Sequence, residues 1–178
     1  MIEKDILRVS ISEEQINQMV DKIANQINED YKDLNPLFIC ILKGAVPFMT
    51  DLLKKINIPC TLDYMRVKSY DGMVSTGNIK IFGVMPKVQG QNVIIVEDIL
   101  DTGKTIVEIK NLFTEMNAKS IKTVVLLDKP EGRIYDVEAD YVGGKVPNEF
   151  VVGYGLDYNE KYRNLPYIGV LKEEVYKK

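Results

Sequence analysis

The stretch Val93-Ile94-Ile95-Val96-Glu97-Asp98-Ile99-Leu100-Asp101-Thr102-Gly103-Lys104-Thr105 decides how this chain is read. Four apolar residues in a row indicate a strand buried on both faces. Three acids then fall within five positions: Glu97, Asp98 and Asp101. Carboxylates this crowded repel one another unless a cation or hydrogen-bond donors compensate them. A Mg2+ ion, sugar hydroxyls, or both would do so. The turn Asp101-Thr102-Gly103-Lys104-Thr105 enters a helix and offers backbone N–H groups, two hydroxyls and a helix N-terminus, which together suit one phosphate. The plainer alternative is that Asp101 or Thr102 merely caps the helix, but capping does not account for Glu97 and Asp98. Gly103-Lys104-Thr105 also suggests a nucleotide-triphosphate P-loop. That loop requires a glycine where Asp98 stands, and an aspartate there would repel the phosphates.

Outward from this stretch the chain alternates strands and helices. Upstream, Leu37-Phe38-Ile39-Cys40-Ile41-Leu42 reads as a strand ending in Lys43-Gly44-Ala45, and Val46-Pro47 begins a helix through Phe48, Leu52 and Leu53. Downstream, Ile106, Ile109, Leu112, Phe113 and Met116 recur at helical spacing. Val124-Val125-Leu126-Leu127 is a third apolar strand and Phe150-Val151-Val152-Gly153-Tyr154 a further one. The pattern predicts an α/β fold, a parallel twisted sheet flanked by helices, with ligands beyond the carboxyl ends of the strands. Near the start, Ser12 caps a helix with Gln15 placed for a capping box, and Ile16, Met19, Val20, Ile23 and Ile27 form its apolar face. Between residues 58 and 84, Tyr64–Lys68 and Asn78–Ile81 read as two strand arms. The small and polar residues joining them, Ser69 to Gly77, read as a long mobile hairpin or lid, or else as an ordinary surface loop.

Composition narrows the chemistry. The 178 residues suffice for one domain over 1–178 with a core that needs no disulfides. A net charge of −3 argues against a protein that lives on nucleic acid or an anionic membrane. The absence of histidine removes Ser-His-Asp and Cys-His catalysis and His-ligated metals, so acid–base work falls to Asp, Glu, Lys or Tyr. Cys40 and Cys60 sit in apolar surroundings and read as buried free thiols. Met1-Ile2-Glu3-Lys4-Asp5 is too acidic for a leader peptide, and no apolar run is long enough to span a bilayer, so a cytoplasmic location is expected.

The Glu97-Asp98 and Asp101–Thr105 pattern resembles the motif that binds phosphoribosyl pyrophosphate (PRPP) in the type I phosphoribosyltransferases. Four further segments are similar to the hypoxanthine-guanine branch of that family. They are Leu42-Lys43-Gly44-Ala45, where the peptide after the lysine is expected to be able to adopt cis; Lys68-Ser69-Tyr70 with Ser75-Thr76-Gly77; Leu126-Leu127-Asp128-Lys129; and Phe150 to Glu160 with Arg163 after it. The resemblance implies that fold, with a small hood from the chain termini and a long flexible hairpin loop. It implies 6-oxopurine salvage: PRPP and hypoxanthine or guanine react to give IMP or GMP and pyrophosphate, with Mg2+ as cofactor. A xanthine-preferring or guanine-only enzyme, or a PRPP-binding regulatory protein on the same fold, is the alternative. The roles implied follow the motifs. Asp101 would be the catalytic base or acceptor beside purine N7. Glu97 and Asp98 would bind ribose, and with Asp157 they would be the metal ligands. Adjacent on one strand, Glu97 and Asp98 should point to opposite faces. Thr102, Gly103, Lys104 and Thr105 would hold the 5′-phosphate. Lys43, Gly44 and Arg163 would hold the pyrophosphate. Lys129, Phe150, Val151 and Asp157 would bind the purine, and Ser69 and Tyr70 would belong to the lid. A homodimer or homotetramer is implied, with no nucleic-acid or membrane partner.

Overall fold

The computed structural model of the chain describes residues 2–68 and 80–177. Its elements are β1 (Ile6–Ile11), α1 (Glu13–Asp30), β2 (Leu37–Leu42), α2 (Val46–Leu53), β3 (Thr61–Lys68), β4 (Lys80–Phe82), β5 (Asn92–Leu100), α3 (Lys104–Glu115), β6 (Ser120–Asp128), β7 (Tyr141–Lys145), β8 (Val151–Val152), β9 (Ile168–Leu171) and α4 (Glu173–Tyr176). The larger sheet runs β4-β3-β2-β5-β6-β7. Every pairing in it is parallel except β3 with β4.

Strand alternation builds the layers. Phe38, Cys40, Ile94, Val96, Val124 and Leu126 face α1 and α2 in one core. Ile39, Ile41, Val93, Ile95 and Val125 meet Ile106, Ile109 and Phe113 of α3 in a second core. Each of these side chains contributes about 1.5–3 kcal/mol by leaving water. α1 begins as its capping box directs: Gln15 N–H donates to Ser12 Oγ at 3.2 Å, and Ser12 N–H donates to Gln15 Oε1 at 2.9 Å. Cys40 is buried, which pushes its thiol up to about 12. Cys60 is only half-buried, because it lies outside any strand at the rim of the core.

From β2 the chain crosses to β3 on one side, while β5, β6 and β7 build out on the other. The switch point is therefore the gap between the carboxyl ends of β2 and β5, where open α/β sheets bind ligands.

One expectation about the sheet needs correction. Phe150–Tyr154 does not join the parallel sheet. Only Val151 and Val152 are strand, and they pair antiparallel with β9 in a separate three-stranded sheet, β1-β9-β8, built from both ends of the chain. A solidly apolar run reports burial, not which sheet buries it. The fifth parallel strand is β7, whose Gly143 and Gly144 hide the usual strand signal. Packing requires Gly143, where a Cβ would lie 2.5 Å from the Leu126 carbonyl oxygen; a Cβ on Gly144 would meet only the flexible end of the Met19 side chain, at 2.6 Å. Of the two hairpin arms, Tyr64–Lys68 lies in β3, and Lys80 and Ile81 of the second lie in β4, with Val67 opposite Ile81; Asn78 and Ile79 lie outside the described residues. The lid residues Ser69 and Tyr70, and Ser75-Thr76-Gly77, lie outside the described residues.

Candidate functional site

Four segments converge beyond the carboxyl ends of the central strands: the turn after β2, the end of β5 with its turn into α3, the loop after β6, and the hood residues from 148 to 163. β5 carries Glu97 and Asp98 within the strand, so their backbones are fixed by pairing with β6. The alternation expected of adjacent strand residues is incomplete: the two carboxyl groups stay close enough to interact directly, and Asp98 N–H donates to Glu97 Oε1 at 3.4 Å. Glu97 lines a cavity of about 160 Å3 with Asp101, Thr102, Gly103 and Thr105 on the α3 side. Asp98 lies against Gly44 on the other side, where a Cβ on Gly44 would sit 1.7 Å from Asp98 Oδ2. Burial holds the Glu97 carboxyl well above the usual carboxylate range, and the neighbouring Asp98 charge adds to this. Burial also raises Asp98.

The turn that follows is open where a phosphate would need it to be. Gly103 is the residue that caps α3; its φ is +86°, and it has no side chain with which to bond the first turn. Thr102 Oγ1 accepts from Lys104 N–H only at 3.4 Å. Simple helix capping is thus not the job of Asp101 or Thr102, and the amide donors of the turn stay available. A Cβ at Gly103 would also lie 2.6 Å from Val137 Cγ1, so packing and backbone both demand glycine.

Asp101 and Lys129 come together from β5 and β6, with Lys129 Nζ 3.7 Å from Asp101 Oδ2. Gly132 closes one side of the carboxylate, since a Cβ there would sit 1.9 Å from Asp101 Oδ1. The loop that carries Gly132 is latched by Arg133, a residue with no signal in the sequence beyond the Pro130–Gly132 turn before it. Its guanidinium donates to the Asp101 carbonyl at 2.9 Å, to the Leu100 carbonyl at 3.1 Å, to the Val137 carbonyl and to Asp128 Oδ1. Ile134 and Tyr135 N–H both donate to the Thr102 carbonyl at 3.0 Å. This loop therefore sets the conformation of the turn at Asp101 and Thr102.

A second cluster forms around Arg163. Gly155 packs on Gly44, where a Cβ would meet the Gly44 carbonyl oxygen at 1.9 Å, and this brings the β2 turn against the hood. The peptide bond between Leu42 and Lys43 is cis. The cis bond thus precedes Lys43 instead of following it; non-proline cis bonds are too rare for a sequence to place one. Arg163 reaches Asp157 Oδ1 at 2.9 Å and donates to the Gly155 carbonyl at 2.7 Å. Its Nε is buried without an acceptor among the described residues. Glu160, to which the sequence reading gave no role, lies between the two cations: its Oε2 is 2.7 Å from Lys43 Nζ and 3.6 Å from Arg163. Lys43 and Arg163 are thus gathered about one carboxylate, which stands in for an anion.

Phe150 is 37% exposed at the edge of the hood, with Tyr158 and Tyr176 against its ring. The Val151 side chain is buried in β8. Among the described residues, no three His, Cys, Asp or Glu side chains converge as a preformed metal cage would require. Among those residues, too, no helix is long and apolar enough to cross a membrane.

The phosphoribosyl transferase domain family matches residues 11–159. The chain is 51% identical, over all of both chains, to a hypoxanthine-guanine phosphoribosyltransferase of Streptococcus thermophilus. It is 50% identical to the protein of the same name from Streptococcus pneumoniae, over 99% of each chain. Its structure is similar to a hypoxanthine phosphoribosyltransferase from Staphylococcus aureus, with TM-score 0.95 and 44% identity over 99% of this chain and 97% of that one.

Proposed function

The chain belongs to the phosphoribosyltransferase family, and from that premise we propose that it transfers the 5-phosphoribosyl group of PRPP to hypoxanthine and guanine in purine salvage. The C1–pyrophosphate bond breaks, a bond from C1 to a purine nitrogen forms, and the purine loses a proton. The products are IMP or GMP and pyrophosphate. The observation that carries this reading is the meeting of Asp101 and Lys129 beside an open phosphate turn, with Lys43 and Arg163 gathered about an anion across the switch point.

Each side chain has a task suited to its chemistry. The amides of residues 102–105 with the Thr102 and Thr105 hydroxyls hold the 5′-phosphate. Lys104 adds positive charge at the same turn. Glu97 and Asp98 accept from the ribose hydroxyls. Lys43, the Gly44 backbone and Arg163 hold the pyrophosphate, with the buried Arg163 Nε as a donor in reserve. Lys129 carries donors only, so it favours a 6-oxo group over the 6-amino group of adenine. Phe150 offers a ring face to the base, and Val151 and Asp157 flank its C2 edge. Asp101 accepts the proton at N7.

Mg2+ fits the donor set. Glu97 and Asp98 are buried acceptors that a cation would compensate, and Arg163, whose charge acts on Asp98, is paired with Asp157 at 2.9 Å. Mg2+ is commonly held by one or two carboxylates plus substrate oxygens, so no complete protein cage is needed. When bound, the ion would neutralise charge on the departing pyrophosphate. The chain would act in the cytoplasm as one domain in a homodimer or homotetramer. The apolar side chains Leu62, Tyr64 and Val84, left exposed along β3 and just after β4, supply a surface for self-association.

The test is a purine panel with PRPP and Mg2+, following nucleotide formation. Hypoxanthine and guanine should give product and adenine none. No product from any 6-oxopurine would overturn the proposal.

A further inference from the structure

The C-terminal helix ends on the purine side of the hood. Tyr176 of α4 stacks on Phe150 with ring centroids 4.8 Å apart and planes 23° apart. Tyr158 meets the same ring edge-on at 5.6 Å and 89°, and lies 6.5 Å from Tyr176. The backbone anchors this arrangement: Lys172 N–H donates to the Asp5 carbonyl at 3.0 Å, and Leu171 N–H donates to the Phe150 carbonyl at 2.9 Å. Val175 and Tyr176 pack against the small core of Val152, Tyr162, Leu165 and Leu171. Lys129, Phe150, Leu171 and Tyr176 share one cavity of about 400 Å3. A centroid spacing of 4.8 Å leaves no room for a base between Phe150 and Tyr176, yet Phe150 keeps 37% exposure. One ring face is therefore covered and the residue still reaches solvent.

We propose that Tyr176 is a positioning residue for purine binding: it covers one face of Phe150 so that the ring stands at a fixed angle and presents its other face to the 6-oxopurine. The inference rests on the reading of Phe150 as the base-stacking residue. Without Tyr176, Phe150 would retain only the edge contact of Tyr158 and would sample several rotamers, and the base would bind a less ordered platform. The Tyr176 hydroxyl has no hydrogen bond among the described residues, so the ring alone does the work.

The experiment is steady-state kinetics on the full chain with Tyr176→Ala and Tyr176→Phe, varying hypoxanthine at saturating PRPP and then PRPP at saturating hypoxanthine. Tyr176→Ala should raise the KM for hypoxanthine about three- to tenfold, the size of one lost aromatic pair. Its KM for PRPP should stay within about twofold, and Tyr176→Phe should restore the wild-type hypoxanthine KM. A wild-type chain that makes no nucleotide would sink the functional reading itself. An active wild type whose purine KM is unmoved by Tyr176→Ala would overturn this inference alone. A fall in purine KM would also overturn it, because Tyr176 would then be a plug that the base displaces.

Discussion

Two groups of acids lie within five residues of each other and are held in opposite ways. Glu97 and Asp98 are inside β5, fixed by strand pairing, and burial raises both. Asp101 lies just past the strand, with its side chain 46% exposed and Lys129 beside it. Its backbone is fixed from outside, by Arg133 and the loop of residues 129–137. The difference separates two tasks. Under the proposed function, the pair in the strand is a store of poorly compensated charge that a metal ion and sugar hydroxyls would relieve. The open aspartate would take up the purine's proton, so that one motif would serve binding through its strand half and chemistry through its turn half.

The sharpest way to break this division is at Asp101. Asp101→Asn keeps size and hydrogen-bonding reach but removes the proton acceptor. Turnover should fall about 10²–10⁴-fold, the usual contribution of a positioned base. PRPP binding, followed by calorimetry or by the KM for PRPP, should change far less. Equal losses in both would mean that Asp101 is a binding residue like its neighbours in the strand.

Arg133 tests the other half of the comparison, the claim that the turn is held from outside. Arg133→Ala would leave the Asp128 carboxylate and the carbonyls of Leu100, Asp101 and Val137 without their shared donor. Breaking a largely buried ion pair from one side costs about 3–5 kcal/mol, and Arg133 and Asp128 are near that limit with side chains 17% and 16% exposed. Denaturant unfolding should show a loss of about 3 kcal/mol. In the folded fraction, the KM for PRPP should rise as the phosphate turn loosens. A variant as stable as wild type would mean the turn holds itself.

The same contrast explains what was legible in the sequence. Val93 to Thr105 could be read because a strand, a helix and a glycine at positive φ each leave a local signature. The capping box at Ser12 and the βα unit at Leu37–Leu53 are local in the same sense. Arg133 was not legible because its partners lie up to 33 residues away and no spacing encodes them. Glu160 and Tyr176 were missed for the same reason; each acts across the hood on Lys43 or Phe150. β7 was missed because Gly143, needed for close packing, and Gly144 beside it removed its apolar pattern. Phe150–Tyr154 was placed in the wrong sheet because apolarity records burial without naming the partner. The strand half of the site is thus written locally, and the shell that holds the turn and the base is written in long-range contacts.

The smallest expected effect probes the stored charge itself. Glu97→Gln preserves shape and removes one titrating group from the pair. In the folded protein Glu97 binds its proton more tightly than its ordinary value of 4.5 allows. The native state therefore holds more protons than the unfolded chain above that value, and stability must fall as pH rises from about 4.5 toward the folded pKa. Below 4.5 the full stability is present. Glu97→Gln should flatten this decline. At pH 7.5, free of metal and PRPP, it should melt higher than wild type by about 2–4 °C, the shift that 1 kcal/mol gives a domain of this size. Adding Mg2+ and PRPP should reverse the order, because ligands that bind the native state stabilise it in proportion to their affinity, and the variant has lost an acceptor for them. A ligand-free variant less stable than wild type would show that the pair is already compensated within the protein. The contrast with Asp101 would then lie in exposure alone, not in stored charge.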